Sequence, residues 1–112
     1  MEITIEVLKR CVLFAVSGRI DTVAAHEFED KLLDLIQGGQ RNLVISMKDV
    51  TLIASSGLRA LVTARIKVSR AVPRGDVVLS ELQPLVLESI ELVGFHHLFK
   101  IFDSDIDAVG SF

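Results

Sequence analysis

The sequence contains few of the residues on which disulfide-bonded and membrane-spanning proteins depend. Its 112 residues include one cysteine, two prolines and neither tryptophan nor tyrosine. One cysteine cannot form an internal disulfide, which is typical of a cytoplasmic protein. The N-terminus alternates apolar and polar residues, unlike a signal peptide, and no apolar run approaches the ~20 residues of a membrane-spanning helix. We therefore expect a cytoplasmic protein without direct membrane insertion.

A surplus of positive charge and the common catalytic motifs are also missing. The net charge is −3 at pH 7, which argues against nucleic acid as a partner. There is no Walker loop, no dinucleotide-binding glycine pattern, no CxxC and no HExxH. His96-His97 has no cysteine or carboxylate close by to complete a metal site. We expect no catalytic residues, no metal site and no cofactor, and therefore not an enzyme.

The apolar residues that are present alternate between strand and helix spacing. They make up half of the chain, enough for one domain over residues 1–112 with a core of its own. Strands are expected at 3–7, 11–17, 43–47, 77–79 and 98–102, and helices over 25–36, 58–70, 85–93 and a short turn after Ser104. This order predicts an α/β fold with a mixed, mostly parallel sheet of 4–5 strands, an N-terminal β-hairpin and 3–4 helices.

The helix over 58–70 has two notable faces. Its core face is expected to contain Leu58, Leu61, Val62 and Ile66. A second face is basic although the whole protein is acidic, and it follows the series Arg59, Thr63, Lys67, Arg70 and Arg74. Such a stripe indicates either a solvated face or a surface for an acidic partner.

The segment Asp49 to Arg59 lies between a buried strand and this helix. Ser55 and Ser56 stand where the helix begins, and serine is a preferred N-cap because its hydroxyl accepts a bond from a free backbone N–H. Residues 54–57 lack the leading glycine of a nucleophile elbow, and no histidine is placed as its base. The two serines are therefore either helix caps or a regulatory site. Upstream, Asp21 or Thr22 can cap the first helix.

Four segments together resemble the STAS domain family, and within it the bacterial anti-sigma factor antagonists. Gly18-Arg19-Ile20-Asp21 is similar to the family's turn before its first helix, and residues 42–53 are similar to its central strand and following loop. Ala54-Ser55-Ser56-Gly57-Leu58 matches the family signature Asp-Ser-(Ser/Ala)-Gly-(Leu/Ile) except at its first position. Residues 93–102 look like the segment after the third helix. The resemblance covers nearly the whole chain.

The resemblance implies a protein that switches partners. An unphosphorylated domain of this family binds an anti-sigma factor and so frees a sigma factor for transcription. The anti-sigma factor is itself a serine kinase, and a serine phosphatase resets the cycle. Carried over to this chain, the phosphorylated residue is Ser55, Ser56 more plausibly serves the helix, and the partner-binding residues are Asp21, Ser55, Ser56, Gly57, Leu58 and Arg59.

Two positions depart from the family pattern. Ala54 stands where the family usually has aspartate, and Arg59 stands where it often has glycine. Because a carboxylate before the serine could orient its hydroxyl, these departures leave an alternative open. That alternative is a STAS protein that is not phosphorylated, either a scaffold in a larger regulatory complex or an accessory subunit of a transporter.

Overall fold

The computed structural model describes residues 1–112 as a five-stranded sheet covered mainly on one face. The strands are β1 (Glu2–Val7), β2 (Val12–Ile20), β3 (Asn42–Ile53), β4 (Asp76–Ser80) and β5 (Ile101–Phe102). The helices are α1 (Ala24–Gln37), α2 (Ser55–Ser69), α3 (Pro84–Leu92) and α4 (Asp105–Gly110), with one 3-10 turn at Phe95–His97. The predicted α/β class, hairpin and element order are confirmed.

Strand order in the sheet follows the chain, β1-β2-β3-β4-β5. Only β1 and β2 pair antiparallel, and the remaining neighbours pair parallel through helical crossovers. The main core lies between the sheet and helices α1, α2 and α3, where Phe14 meets Phe28 edge to face with ring centroids 5.8 Å apart. This topology carries the C-terminal ends of β2 and β3 to the beginnings of α1 and α2.

The strand β3 is longer than its sequence predicted. Residues 49–53 were expected to form a loop, but they remain in β3 because they continue to pair with β2 beyond an irregularity in the register. Ile20 pairs with Ile53 at the end of this extension. The same pairing keeps Gly18 to Ile20 in β2 rather than in the predicted turn. The loop between β3 and α2 is therefore reduced to Ala54.

The buried face of α2 also differs from the predicted one. Leu58 and Leu61 are buried as expected, whereas Val62 is half-buried and Ile66 is 40% exposed. The face turned to the core instead uses small residues, because α2 packs closely against both α1 and the sheet. Its buried residues are Gly57, Leu58, Ala60, Leu61, Ala64 and Val68.

The second face of the sheet is covered by α4 alone. A small apolar cluster forms there from Cys11, Val44, Val78 and Ala108. Beside it the Asp105 carboxylate accepts hydrogen bonds from the Ser46 hydroxyl (3.0 Å) and the Ser80 hydroxyl (2.6 Å). Both serines are almost completely buried, so Asp105 is the polar partner that fastens α4 to the sheet.

The edge strand β1 is more exposed than the alternating pattern predicted. Ile5 and Val7 are 41% and 61% exposed, whereas Ile3 packs against the main core. Pro84 opens α3, and the Ser104 hydroxyl accepts the Asp107 N–H at 3.1 Å to cap α4. No helix is long and apolar enough to cross a membrane.

Candidate functional site

The beginning of α2 is held against the end of β2. The backbone N–H of Ala54 donates a 2.8 Å hydrogen bond to the carbonyl oxygen of Ile20. Gly57, in the first turn of α2, allows the close approach, since a Cβ added there would stand 2.9 Å from side-chain carbons of both Ile20 and Ile53. The contacts of Ala54 and Gly57, which flank Ser55 in the sequence, therefore fix Ser55 relative to the C-terminal ends of β2 and β3.

Neither serine caps α2. The N-cap residue is Ala54, which has extended backbone dihedrals and no side-chain oxygen to offer. Ser55 and Ser56 are the first two residues of the helix itself, so the prediction that Ser56 serves the helix as a cap is wrong. Ser55 is exposed, whereas the Ser56 hydroxyl oxygen is buried and has no hydrogen-bond partner. The usual structural explanation for a serine at this place does not apply.

The missing cap leaves backbone donors free. The first hydrogen bond of the helix joins the Leu58 N–H to the Ala54 carbonyl oxygen at 3.1 Å. The N–H groups of Ser55, Ser56 and Gly57 precede it and have no partner within the helix. They also lie at the positive end of the helix dipole. This end of α2 is therefore electrostatically suited to negative charge.

Ser55 lies in a surface cavity of about 490 Å³ between α2, α3 and the β2–α1 connection. The only charged side chain that lines it is Arg59, one helical turn beyond Ser55, and no carboxylate does. The lining residues are Thr22, Ile53, Ala54, Ser55, Ser56, Leu58, Arg59, Ser89, Leu92 and Val93. The cavity therefore combines free donors, one cation and an apolar wall.

The predicted site residues occupy different positions around this cavity. Ser55, Ser56, Leu58 and Arg59 line it together. Gly57 is buried and does not line the cavity, so any part it takes in partner binding comes through holding Ser55 in place, whereas Leu58 lines the cavity although it is largely buried. Asp21 does not line the cavity; its carboxylate accepts the Ala24 N–H at 2.8 Å and so caps α1 from the same end of the sheet.

The sequence reasoning missed the contribution of α3. Leu92 and Val93 form the apolar wall of the cavity and are 80% and 50% exposed. A neighbouring cavity of about 310 Å³ shares Ser89 and Leu92, and it extends the apolar surface to Leu85, which is 72% exposed. The signal was available, because α3 is apolar around most of its circumference and one face is enough to cover the sheet.

The structure contains no group of three or more His, Cys, Asp or Glu side chains placed to hold a metal ion. Among the titratable groups, burial raises the pKa of the Cys11 thiol. Cys11 lies under α4, on the face of the sheet away from Ser55 and Ser56. The site around Ser55 therefore offers binding and modification chemistry through a hydroxyl, backbone N–H groups and a guanidinium.

The STAS domain family model matches residues 2–108, so the chain belongs to the STAS domain family. BtrV of Bordetella bronchiseptica, named as a candidate anti-sigma factor antagonist, is 26% identical over 112 residues, covering 100% of this chain and 95% of BtrV. An anti-sigma factor antagonist from Mycobacterium paratuberculosis has a similar structure, with a TM-score of 0.88, 23% identity and coverage of 98% of this chain and 92% of that one.

The phosphorylated form of the Bacillus cell fate determinant SpoIIAA also shares the fold. Its TM-score is 0.75 at 17% identity, with coverage of 98% of each chain. At these identities the two structural likenesses establish the fold.

Proposed function

We propose that this protein is an anti-sigma factor antagonist that acts in the cytoplasm and is switched by phosphorylation of Ser55. The partner is an anti-sigma factor with serine kinase activity, and a serine phosphatase restores the unmodified protein. Membership of the STAS family and the relatives named as anti-sigma factor antagonists support this role. The fold is also shared with SpoIIAA, described in both phosphorylated and unphosphorylated forms.

The observation that carries the proposal is the exposed Ser55 hydroxyl in a helix that it does not cap. A capping serine would hold its oxygen against the helix N–H groups, away from a phosphate donor. Ser55 has no such role, and it opens into a cavity that a kinase can reach. Ser56 is less suited to transfer because its hydroxyl oxygen is buried.

A phosphate on Ser55 is compatible with the fold. It would add about −1.5 to −2 charges at pH 7 beside the free N–H groups at the beginning of α2, where the helix dipole favours an anion. The Arg59 guanidinium lines the same cavity and can pair with phosphate oxygens. We therefore expect phosphorylation to leave the domain folded and to act on binding.

The apolar wall from α3 explains how a phosphate on Ser55 would weaken partner binding. A partner seated on Leu92 and Val93 would exclude water from the cavity that contains Ser55. A dianion covered in this way loses hydration, and unless the partner supplies a matching cation the complex is strongly weakened. The modified domain would then dissociate without unfolding.

A binding measurement with charge variants tests the proposal. The Ser55→Asp variant should remain folded and bind the purified anti-sigma kinase of the same genome at least ~100-fold more weakly, since an uncompensated charge at an interface costs several kcal/mol. Ser111→Asp, an exposed position after α4, is the matched control and should bind like wild type. Equal affinity of Ser55→Asp and wild type would favour the unphosphorylated scaffold or transporter subunit.

A further inference from the structure

We propose that a basic pocket between the end of α2 and the start of β4 binds a phosphate group, as inorganic phosphate or as a phosphate monoester on a partner. The pocket has a volume of about 280 Å³ and no hydrophobic lining residue. Its lining residues are Arg65, Ser69, Arg74, Gly75, Asp76 and Lys100. Nothing in the proposed partner switch uses it.

The basic pocket lies at the other end of the molecule from Ser55. Ser55 begins α2 and Ser69 ends it, so the rise of the helix separates them by about 21 Å. The pocket is assembled from α2, the α2–β4 connection, the first residue of β4 and the residue before β5. A phosphate on Ser55 of the same chain therefore cannot occupy it.

Positive charge in the basic pocket exceeds negative charge. Arg65, Arg74 and Lys100 contribute three cations, and Asp76 contributes the one carboxylate, which leaves two positive charges uncompensated. A phosphate monoester carries about −1.5 to −2 charges at pH 7, which matches this excess. Lys67 and Arg70 are exposed on the last turns of the same helix and add to the positive field at this end.

Asp76 only partly neutralises its neighbours. Its Oδ1 lies 3.6 Å from Arg65 Nε, and its Oδ2 lies 3.9 Å from Lys100 Nζ. Both distances exceed those of hydrogen bonds. The Oδ1 atom already accepts the Val77 N–H at 2.8 Å, which fixes the carboxylate in this position. Arg74 takes part in neither ion pair.

The Arg65 guanidinium is weakly matched by Asp76. Its Nε is buried and makes no hydrogen bond, and the Asp76 Oδ1 atom beside it is 3.6 Å away. A phosphate group has three acceptor oxygens, and a guanidinium can bind two of them at once. A dianion in the basic pocket would offer acceptors to the guanidinium of Arg65, whose side chain is 37% exposed, and would draw Arg74 and Lys100 to the same group.

The helix dipole gives a simpler account of some of these cations. Basic residues stabilise the C-terminal end of a helix, and this covers Lys67 and Arg70. It does not cover Lys100, which is on another element, or Arg74, which follows the helix by five residues. The phosphate site and the helix-dipole account differ in the phosphate affinity that they predict when Asp76 is neutralised.

Titration of the 112-residue protein with inorganic phosphate, followed by ¹H–¹⁵N NMR, tests the site. We expect saturable shifts of the Gly75 and Asp76 amide signals. Arg65→Gln and Arg74→Gln should each weaken the affinity by about tenfold or more, the usual effect of losing one charge-assisted bond. Lys31→Gln, an exposed cation on α1, removes the same charge elsewhere and should leave the affinity unchanged.

Neutralising Asp76 separates a ligand site from an ion-pair cluster. Asp76→Asn keeps an oxygen for the Val77 N–H and removes the competing negative charge, so phosphate should bind more tightly. A second titration with O-phosphoserine identifies the source: tighter binding than inorganic phosphate indicates a phosphorylated side chain, and the reverse indicates the free ion. Shifts that do not saturate, or that Arg65→Gln and Arg74→Gln leave unchanged, would overturn the proposal. This result does not depend on whether Ser55 is phosphorylated.

Discussion

The Ala54 N–H and the Ile20 carbonyl oxygen are joined by a 2.8 Å hydrogen bond that closes the end of β2 against the start of α2. This bond precedes Ser55 by one residue, and the buried Gly57 follows Ser55 by two. The serine thus stands on a short, rigid support rather than on a flexible loop. A rigid support presents the hydroxyl in one geometry to both a kinase and a binding partner.

Gly57→Ala tests this support. The added methyl group would stand 2.9 Å from carbons of Ile20 and Ile53, whose branched side chains have little freedom to move. We expect a loss of about 1–2 kcal/mol in the free energy of unfolding, because overpacking outweighs the gain in helix propensity. Urea denaturation measures it, with Gly110→Ala as the control, since a Cβ there meets nothing within 4 Å. A stabilised Gly57→Ala variant would contradict this packing.

Ala54→Asp tests the empty cap. Ala54 already has the extended backbone of an N-cap, so an aspartate there can accept a free N–H of the first turn. The unfolding free energy should rise by roughly 0.5–2 kcal/mol. The pKa of that bonded carboxyl would lie below its unfolded value, so the gain should be present above about pH 4 and disappear as the pH falls further. Ala54→Ser is the uncharged control, and its gain should persist in acid. An unchanged stability in both variants would show that the first-turn N–H groups are already satisfied.

Asp105→Ala tests the attachment of α4. The change leaves the buried hydroxyls of Ser46 and Ser80 without their acceptor, which should cost about 2–5 kcal/mol. Because Ala108 of α4 covers Cys11, that thiol should also react faster with a thiol reagent. Asp107→Ala removes an exposed carboxylate from the same helix and should change neither quantity appreciably. Equal effects of the two variants would show that the Asp105 bonds contribute little.

Cys11 should make stability fall in alkali. Burial raises the pKa of its thiol, whereas the unfolded chain ionises near the ordinary pKa of ~8.5. The stabilisation is therefore complete below pH ~8.5 and declines as the pH rises through the folded value. Urea midpoints between pH 7 and pH 10 should fall more steeply for wild type than for Cys11→Ala. Parallel slopes would mean that the thiol is accessible to water.

The sequence predicts local structure well where one physical signal dominates. The nearly unbroken apolar run at 43–47 is buried, as expected, and a short helix does follow Ser104. The ends of strands are predicted less well, because the extension of β3 to Ile53 depends on pairing with β2, which is distant in the sequence. The core face of α2 also differs from the predicted one, since close helix packing places Ala60 and Ala64 there instead of larger residues.

The candidate site could be predicted in part. Ser55 follows from a motif, and it shares one cavity with Arg59, which departs from the family pattern. The absence of a serine cap could not be foreseen, because cap preference favours Ser55 or Ser56 over Ala54, and only the path of the backbone from Ile53 to Ser55 places Ala54 at the N-cap. The wall formed by Leu92 and Val93 comes from a helix more than 30 residues further along the chain. The tertiary fold brings these two residues close to Ser55, and no local sequence pattern indicates that contact.

Phosphorylation of the purified protein by its anti-sigma kinase and ATP, with the modified residue located by mass spectrometry, tests the Ser55 switch most directly. The structure predicts a single phosphate on Ser55, none on the buried hydroxyl of Ser56, and no modification of the Ser55→Ala variant. A phosphate on another residue, or no phosphate on Ser55 after incubation with a kinase that binds the protein, would contradict the assignment of Ser55 as the switch.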